Sequence, residues 1–231
     1  MSVLMIAILA LVSFLLFLSR LKKLRRDRET FINDYEFPPG LFERLSRRRG
    51  GLTQQDHQRV DAALRQYFRV YLKSGFKFVS MPSQLADDLW HEFILYTRNY
   101  QIFCQKAFGR FLHHTPAVAL SPKNRASNAG LRRAWWLACQ EEGINPRKPE
   151  RLPVLFALDG DFQIEDGFFY APDCKSLRAG GSGGFNCGGD FFDSSFDGGT
   201  DGFGDSSADG GDSGGDSGGD GGGGGCGGGG D

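Results

Sequence analysis

The apolar positions of this chain fall into three regimes. Residues 3–18, VLMIAILALVSFLLFL, form an apolar run in which Ser13 is the one polar residue. From about residue 31 to 173 apolar residues recur at helical spacing between Gly and Pro punctuation, and beyond residue 179 they thin out to isolated phenylalanines. The first run predicts a helix with no polar face, which disfavours an interfacial amphipathic helix and leaves a buried core helix as the soluble alternative. At 1.5 Å per residue its 16 residues span about 24 Å, and Met1, Ser19 and a snorkelling Arg20 extend it toward the roughly 30 Å of a hydrocarbon core. A cleaved signal peptide wants a positive segment before the run and a small-residue site after it; here Met-Ser precedes and SRLKKLRRDR follows. The expectation is a transmembrane helix over residues 1–19 and a basic juxtamembrane linker over 20–30.

Residues 31–178 read as a small, mainly α domain. Pro38-Pro39-Gly40 is a turn into the short helix LFERLSRR. Thr53 and Asp56 have the spacing of a capping box, after which Val60, Ala63, Leu64, Tyr67, Phe68 and Tyr71 define a core-facing stripe that Gly75 closes, with His57 left at the surface. Ser83 is the N-cap of the next helix, and Leu131–Glu142 makes another, closed by Gly143 and Pro146. In LPVLFALDGDFQIEDGFFY two apolar runs flank Asp159-Gly160, the signal of a β-hairpin in which Asp159, Asp161, Glu165 and Asp166 serve turn chemistry and solvation. The fold class is therefore mainly α, with one β-hairpin.

Charge divides the chain further. Residues 179–231 hold 25 of the 34 glycines and ten Asp without a single Lys or Arg, so this tail carries −10 and leaves +9 on residues 1–178. Such a glycine-rich, Asp-rich composition predicts disorder. Its four-residue Asp spacing matches neither an EF-hand nor the calcium nonapeptide, and Cys226 forms no CaaX box. Arg20, Lys22, Lys23, Arg25, Arg26 and Arg28 follow the apolar run and none precedes it, which by the positive-inside rule places the N-terminus outside and the domain and tail in the cytoplasm. In that reducing compartment the five scattered cysteines predict no stable disulfide. The folded part has no P-loop or dinucleotide-binding glycines, and the acidic tail argues against nucleic acid as a partner.

The densest chemistry lies in DDLWHEFILYTRNYQIFC and the following FGRFLHHTP, which place Asp87, Asp88, His91, Glu92, Cys104, His113 and His114 within 28 residues. In one straight helix His91 and Cys104 sit about 220° apart, so a shared site needs a break, for which Arg98-Asn99 is the best-placed pair, with Asn99 capping a second helix. His91, Cys104, His113 and His114 have the ligand types of a zinc site; adjacent histidines point apart, so one of the pair reaches inward. Asp87 or Asp88, three or four residues before His91, can orient its ring. His91-Glu92 fails as a zincin because Leu95 stands where HExxH needs histidine. Cys104 with a histidine is also a possible nucleophile pair. The third reading is structural: a buried His91 bonded to an Asp or a backbone carbonyl, with no cofactor.

The run from Met81 to Pro116 resembles the signature of the glycine-rich domain-containing protein-like family, in which Asp, Trp-His, Thr, Tyr, Cys and Phe-Gly recur in this order. Some of its members carry a second His where this chain has Phe93. The resemblance implies an architecture and not a reaction. Taken together, the sequence points to a membrane-anchored, single-pass protein that meets lipid through its N-terminal helix and whose domain is a binding module for a protein partner. The alternative is a metal-dependent or thiol enzyme built on His91, Cys104 and His113 or His114.

Overall fold

The computed structural model describes residues 3–114, 129–172, 186–188 and 191, and over these the protein is mostly helical. The elements are α1 (Val3–Asp34), α2 (Leu41–Arg49), α3 (Gln54–Lys73), α4 (Gln84–Leu95), α5 (Thr97–Phe108), α6 (Ala129–Glu141), α7 (Val154–Asp161), β1 (Tyr170–Ala171) and β2 (Asn186–Cys187).

Helix α1 contains the apolar run and continues through the basic segment without interruption. Residues 20–30 are thus helical and not a separate linker, and α1 reaches the domain directly. Residues Met5–Asp34 are long and apolar enough to cross a membrane, with a mean hydropathy of 2.1 in the most apolar window and none of that window buried. An N-terminal signal sequence passes the same test. The other end of α1 is embedded: Ile32 is fully buried, and Arg65 of α3 donates to the carbonyls of Ile32 (2.5 Å), Asn33 (2.8 Å) and Tyr35 (2.7 Å). A single guanidinium so satisfies carbonyls that the end of a helix leaves orphaned, and its charge complements the negative end of the dipole.

Helix α3 is the centre of the domain, packing against α1, α4, α6 and α7. Its start is the capping box expected from Thr53 and Asp56, and the two Thr53 hydrogen bonds, backbone first, hold the Asp56 carboxyl below its usual range. His57, expected at the surface, instead ties α3 to α2: its Nε2 is 2.7 Å from Ser46 Oγ and its ring packs on Phe42. Phe68 of α3 meets Phe103 of α5 at 4.8 Å between ring centroids, and Phe93 of α4 meets Phe103 at 5.4 Å, so three helices share one aromatic core. Helix α2 lies across α4 through charge: Arg44 bonds Glu92 at 2.6 Å, and Arg48 and Arg49 pair with the buried Asp88.

The break between α4 and α5 falls at Tyr96, with φ −81° and ψ 59°, and not at Arg98-Asn99. Asn99 is an interior residue of α5 and caps nothing. The Tyr96 hydroxyl donates to the Pro39 carbonyl at 3.1 Å, a tertiary bond that links the corner to the Pro-Pro-Gly turn.

The expected hairpin about Asp159-Gly160 does not form; this segment is α7. Pro153 leads into the helix, and Leu155, Phe156, Leu158 and Asp159 form its buried face. The Glu142 carboxylate accepts from the first helical amide, that of Val154, at 2.7 Å. Burial opposes its ionisation, but this amide, Arg151 and Gln66 together hold the Glu142 carboxyl below its usual value. The only strand pair among the described residues is β1 with β2, which run parallel with Tyr170 opposite Asn186 and Ala171 opposite Cys187. The pairing joins the domain to residues that composition assigns to the tail. Phe191 is 5% exposed and packs on Trp135 at 5.5 Å, so the boundary at 178 falls short of the folded unit. The expected disorder of the rest of 179–231 lies outside the described residues.

Candidate functional site

Ser83 caps α4 as its sequence position predicts, its hydroxyl accepting from the Ala86 amide. A second group completes the helix start. The buried carboxylate of Asp159 accepts from Ser83 Oγ (2.6 Å), the Gln84 amide (2.7 Å), the Leu85 amide (3.1 Å) and the Phe168 amide (2.8 Å). Far from serving a solvated turn, Asp159 places a negative charge at the positive end of α4 and fixes its first turn. That turn includes Asp87.

From there the helical period brings Asp87 and His91 to one face. His91 Nδ1 lies 2.9 Å from the Asp87 carbonyl oxygen and 3.3 Å from its Oδ2. His114 arrives from beyond α5, with Nε2 at 3.0 Å from Asp87 Oδ1. The two imidazoles are 4.1 Å apart between centroids. One carboxylate thus stands between two histidines.

The residues that deliver His114 carry no motif. Trp90 Nε1 donates to the Tyr100 hydroxyl at 3.1 Å, and that hydroxyl donates to the Leu112 carbonyl at 2.5 Å. The relay pins the backbone two residues before His114, whose ring then rests edge-on against Trp90 at 4.7 Å. Burial pushes the Tyr100 phenol upward, keeping it a neutral donor. Gly109 makes the return possible: it ends α5 at φ +73°, a conformation costly for any side chain.

The trio lines a pocket of about 330 Å³. Its walls are largely apolar: Tyr67 and Tyr71 from α3, Phe78, Val79 and Met81 from the connection before α4, Trp90, Leu112 and Phe168. Ser80, Gln84 and His113 add polar edges. Tyr67 donates to the Val79 carbonyl at 3.2 Å, holding that connection, and its own phenol is pushed up by burial.

The candidate residues therefore separate. His91 and His114 come together, and Asp87 joins them in place of Cys104. His91 is not the buried core residue of the structural reading, since its side chain is 40% exposed. Of the two possible carboxylates Asp87 is the partner, Asp88 being committed to Arg48 and Arg49. His113 is exposed, with its ring against Phe111, so one of the adjacent pair reaches inward as expected. Cys104 is fully buried in the core, and burial raises its thiol above the ordinary value, the reverse of what a nucleophile requires. Among the described residues the one group of three or more His, Cys, Asp or Glu side chains with mutually close ligand atoms is Asp87, His91 and His114.

Comparison with curated proteins and with solved structures finds no match. Residues 27–191, which run from the lower part of α1 through the pocket to Phe191, match the UCP032817-like family, and the chain belongs to that family.

Proposed function

We propose that this is a single-pass membrane protein, N-terminus outside and domain cytoplasmic, whose helical domain is a binding module for a small, largely apolar molecule. The observation that carries the reading is the pocket: about 330 Å³, walled by aromatic side chains, with Asp87, His91 and His114 converging on it. Apolar walls with a few placed polar groups are the usual make-up of small-molecule sites. The exposed apolar face of α1 and the one-sided basic flank support the anchor and its orientation. In this reading α1, which runs without a break into the domain and is clamped at its end by Arg65, joins anchor and domain as one continuous helix.

The test is saturation-transfer NMR of the full chain in lipid nanodiscs against water-soluble aromatic carboxylates, amines and alcohols. At least one class should bind, and Ser80→Trp, which fills the pocket, should abolish it. Absence of binding by every class, or binding unchanged in Ser80→Trp, would refute the module. The orientation is read separately by labelling a cysteine placed at position 2 from outside the cell.

A further inference from the structure

We propose that Asp87, His91 and His114 bind a zinc ion that keeps a coordination position open to the pocket. Zinc bonds nitrogen and oxygen ligands at about 2.0–2.2 Å, which sets neighbouring donors of a tetrahedron roughly 3.3–3.5 Å apart. Asp87 Oδ1 is 3.0 Å from His114 Nε2 and Asp87 Oδ2 is 3.3 Å from His91 Nδ1, so each imidazole stands near that spacing from one of the two carboxylate oxygens. All three ligand atoms fall within 4.8 Å of one another. Binding exchanges the His114–carboxylate hydrogen bond and the contacts of His91 Nδ1 with the Asp87 carbonyl and carboxylate for bonds to the metal.

Three features distinguish this arrangement from two histidines that merely share a carboxylate. The trio is built onto an ordered frame: Asp159 fixes the start of α4, and the Trp90–Tyr100–Leu112 relay fixes the approach of His114. It faces a cavity and not the core, since each of its members lines the pocket. It also offers three protein ligands, the number found in zinc sites that keep a place for water or substrate, whereas structural zinc is closed by four. Paired imidazoles disfavour magnesium and calcium, and at a given nitrogen–oxygen site zinc binds more tightly than iron(II). The inference rests on the pocket reading only for what the fourth position faces.

The experiment uses the full chain in detergent micelles, stripped with a chelator and titrated with Co²⁺ as a spectroscopic stand-in. The wild type should take up one Co²⁺ with the visible absorption of a four-coordinate ion, and Zn²⁺ should displace it at lower concentration than Fe²⁺ does anaerobically. His91→Ala and His114→Ala should each weaken binding by more than the roughly 10–100-fold that loss of an outer-shell partner costs. Cys104→Ala should still take up one Co²⁺, and His57→Ala, outside both pocket and trio, should bind as the wild type does. Overturning results are absence of stoichiometric Co²⁺ in the wild type, a thiolate charge-transfer band, or preference for Fe²⁺. Metal uptake is measured without any pocket ligand, so it can fail while the NMR panel succeeds, and the reverse.

Discussion

Asp159 and Ser83, 76 residues apart in sequence, share a 2.6 Å hydrogen bond at the head of α4. The same carboxylate takes the Gln84, Leu85 and Phe168 amides, so one buried charge binds α4, α7 and the approach to β1. Replacing it leaves buried donors unpaired. Asp159→Ala should cost about 3–5 kcal/mol, and Asp159→Asn, which keeps the volume but replaces one acceptor oxygen with an NH2 donor facing other donors, about 2–3 kcal/mol. Denaturant unfolding of the two variants checks this; equal stability to the wild type would show that the carboxylate is dispensable.

That residue also marks where the sequence stops being legible. Elements with a full apolar stripe and a local cap read correctly: the Thr53–Asp56 box, Ser83 and the Trp-rich α6 depend on residues a turn away. Asp159-Gly160 read as a hairpin because the local signal is strong, and what decides it is a set of hydrogen bonds to residues 83–85 that no local pattern contains. In the site, Asp87 and His91 were legible as one helix face. His114 was legible only as one member of an adjacent pair, because its selection depends on the Tyr100 relay. Cys104 was misassigned for a similar reason: a break at Tyr96 sets the phase of α5 so that Cys104 faces the core.

The Tyr100 hydroxyl, buried between Trp90 Nε1 and the Leu112 carbonyl, gives the next prediction. Tyr100→Phe removes the acceptor of the Trp90 indole and a donor to the Leu112 carbonyl, and should cost about 1–3 kcal/mol. Amide exchange at residues 112–114 should quicken and Co²⁺ affinity should fall, although residue 100 touches no ligand. Unchanged exchange would mean that other contacts place His114.

Phe191 sets the end of the folded unit. It packs on Trp135, Phe156 and Tyr170, and a Cβ on Gly188 would lie 2.4 Å from the Trp135 ring, so chain and ring are in close contact there. Truncation after Arg178, which composition alone makes harmless, should instead destabilise the domain by about 2–4 kcal/mol, and Phe191→Ala by a similar amount. Truncation after Asp193 should cost little. The comparison of three thermal midpoints decides whether the β1–β2 pair is part of the core.

Glu142 supplies a pH dependence with a defined sign. Its carboxyl is held below the ordinary value of 4.5, so its contribution to stability is complete above that pH and is lost as pH falls through the lowered folded value. Glu142→Gln should lower stability at pH 7 and flatten the stability–pH curve below about 4.5 relative to the wild type. Asp56 and Asp166 are also held low, so the variant keeps some slope and the difference between the two curves is the quantity to read. Parallel curves would show that Glu142 titrates alike in the folded and unfolded chains.

The pocket and the Asp87–His91–His114 trio can be separated by a residue that belongs to neither. Gly130 lies in the first turn of α6, where an added Cβ would stand 2.5 Å from Ser80 Oγ and 2.6 Å from Phe78 Cε1. Both neighbours are side chains of the pocket wall, and Arg133 anchors the Phe78 carbonyl, so the ring and hydroxyl must move while the backbone stays. The cost of displacing them is offset by the better helix propensity of Ala, worth about 1 kcal/mol, and Gly130→Ala should change stability by no more than about that amount. Ligands seen in the NMR panel should bind more weakly because the wall has shifted. Co²⁺ uptake should be unaffected, since its three ligands lie on α4 and the segment after α5. Loss of both would show that pocket wall and trio form one mechanical unit; loss of neither would show that the side chains at 78 and 80 have room to yield away from the pocket.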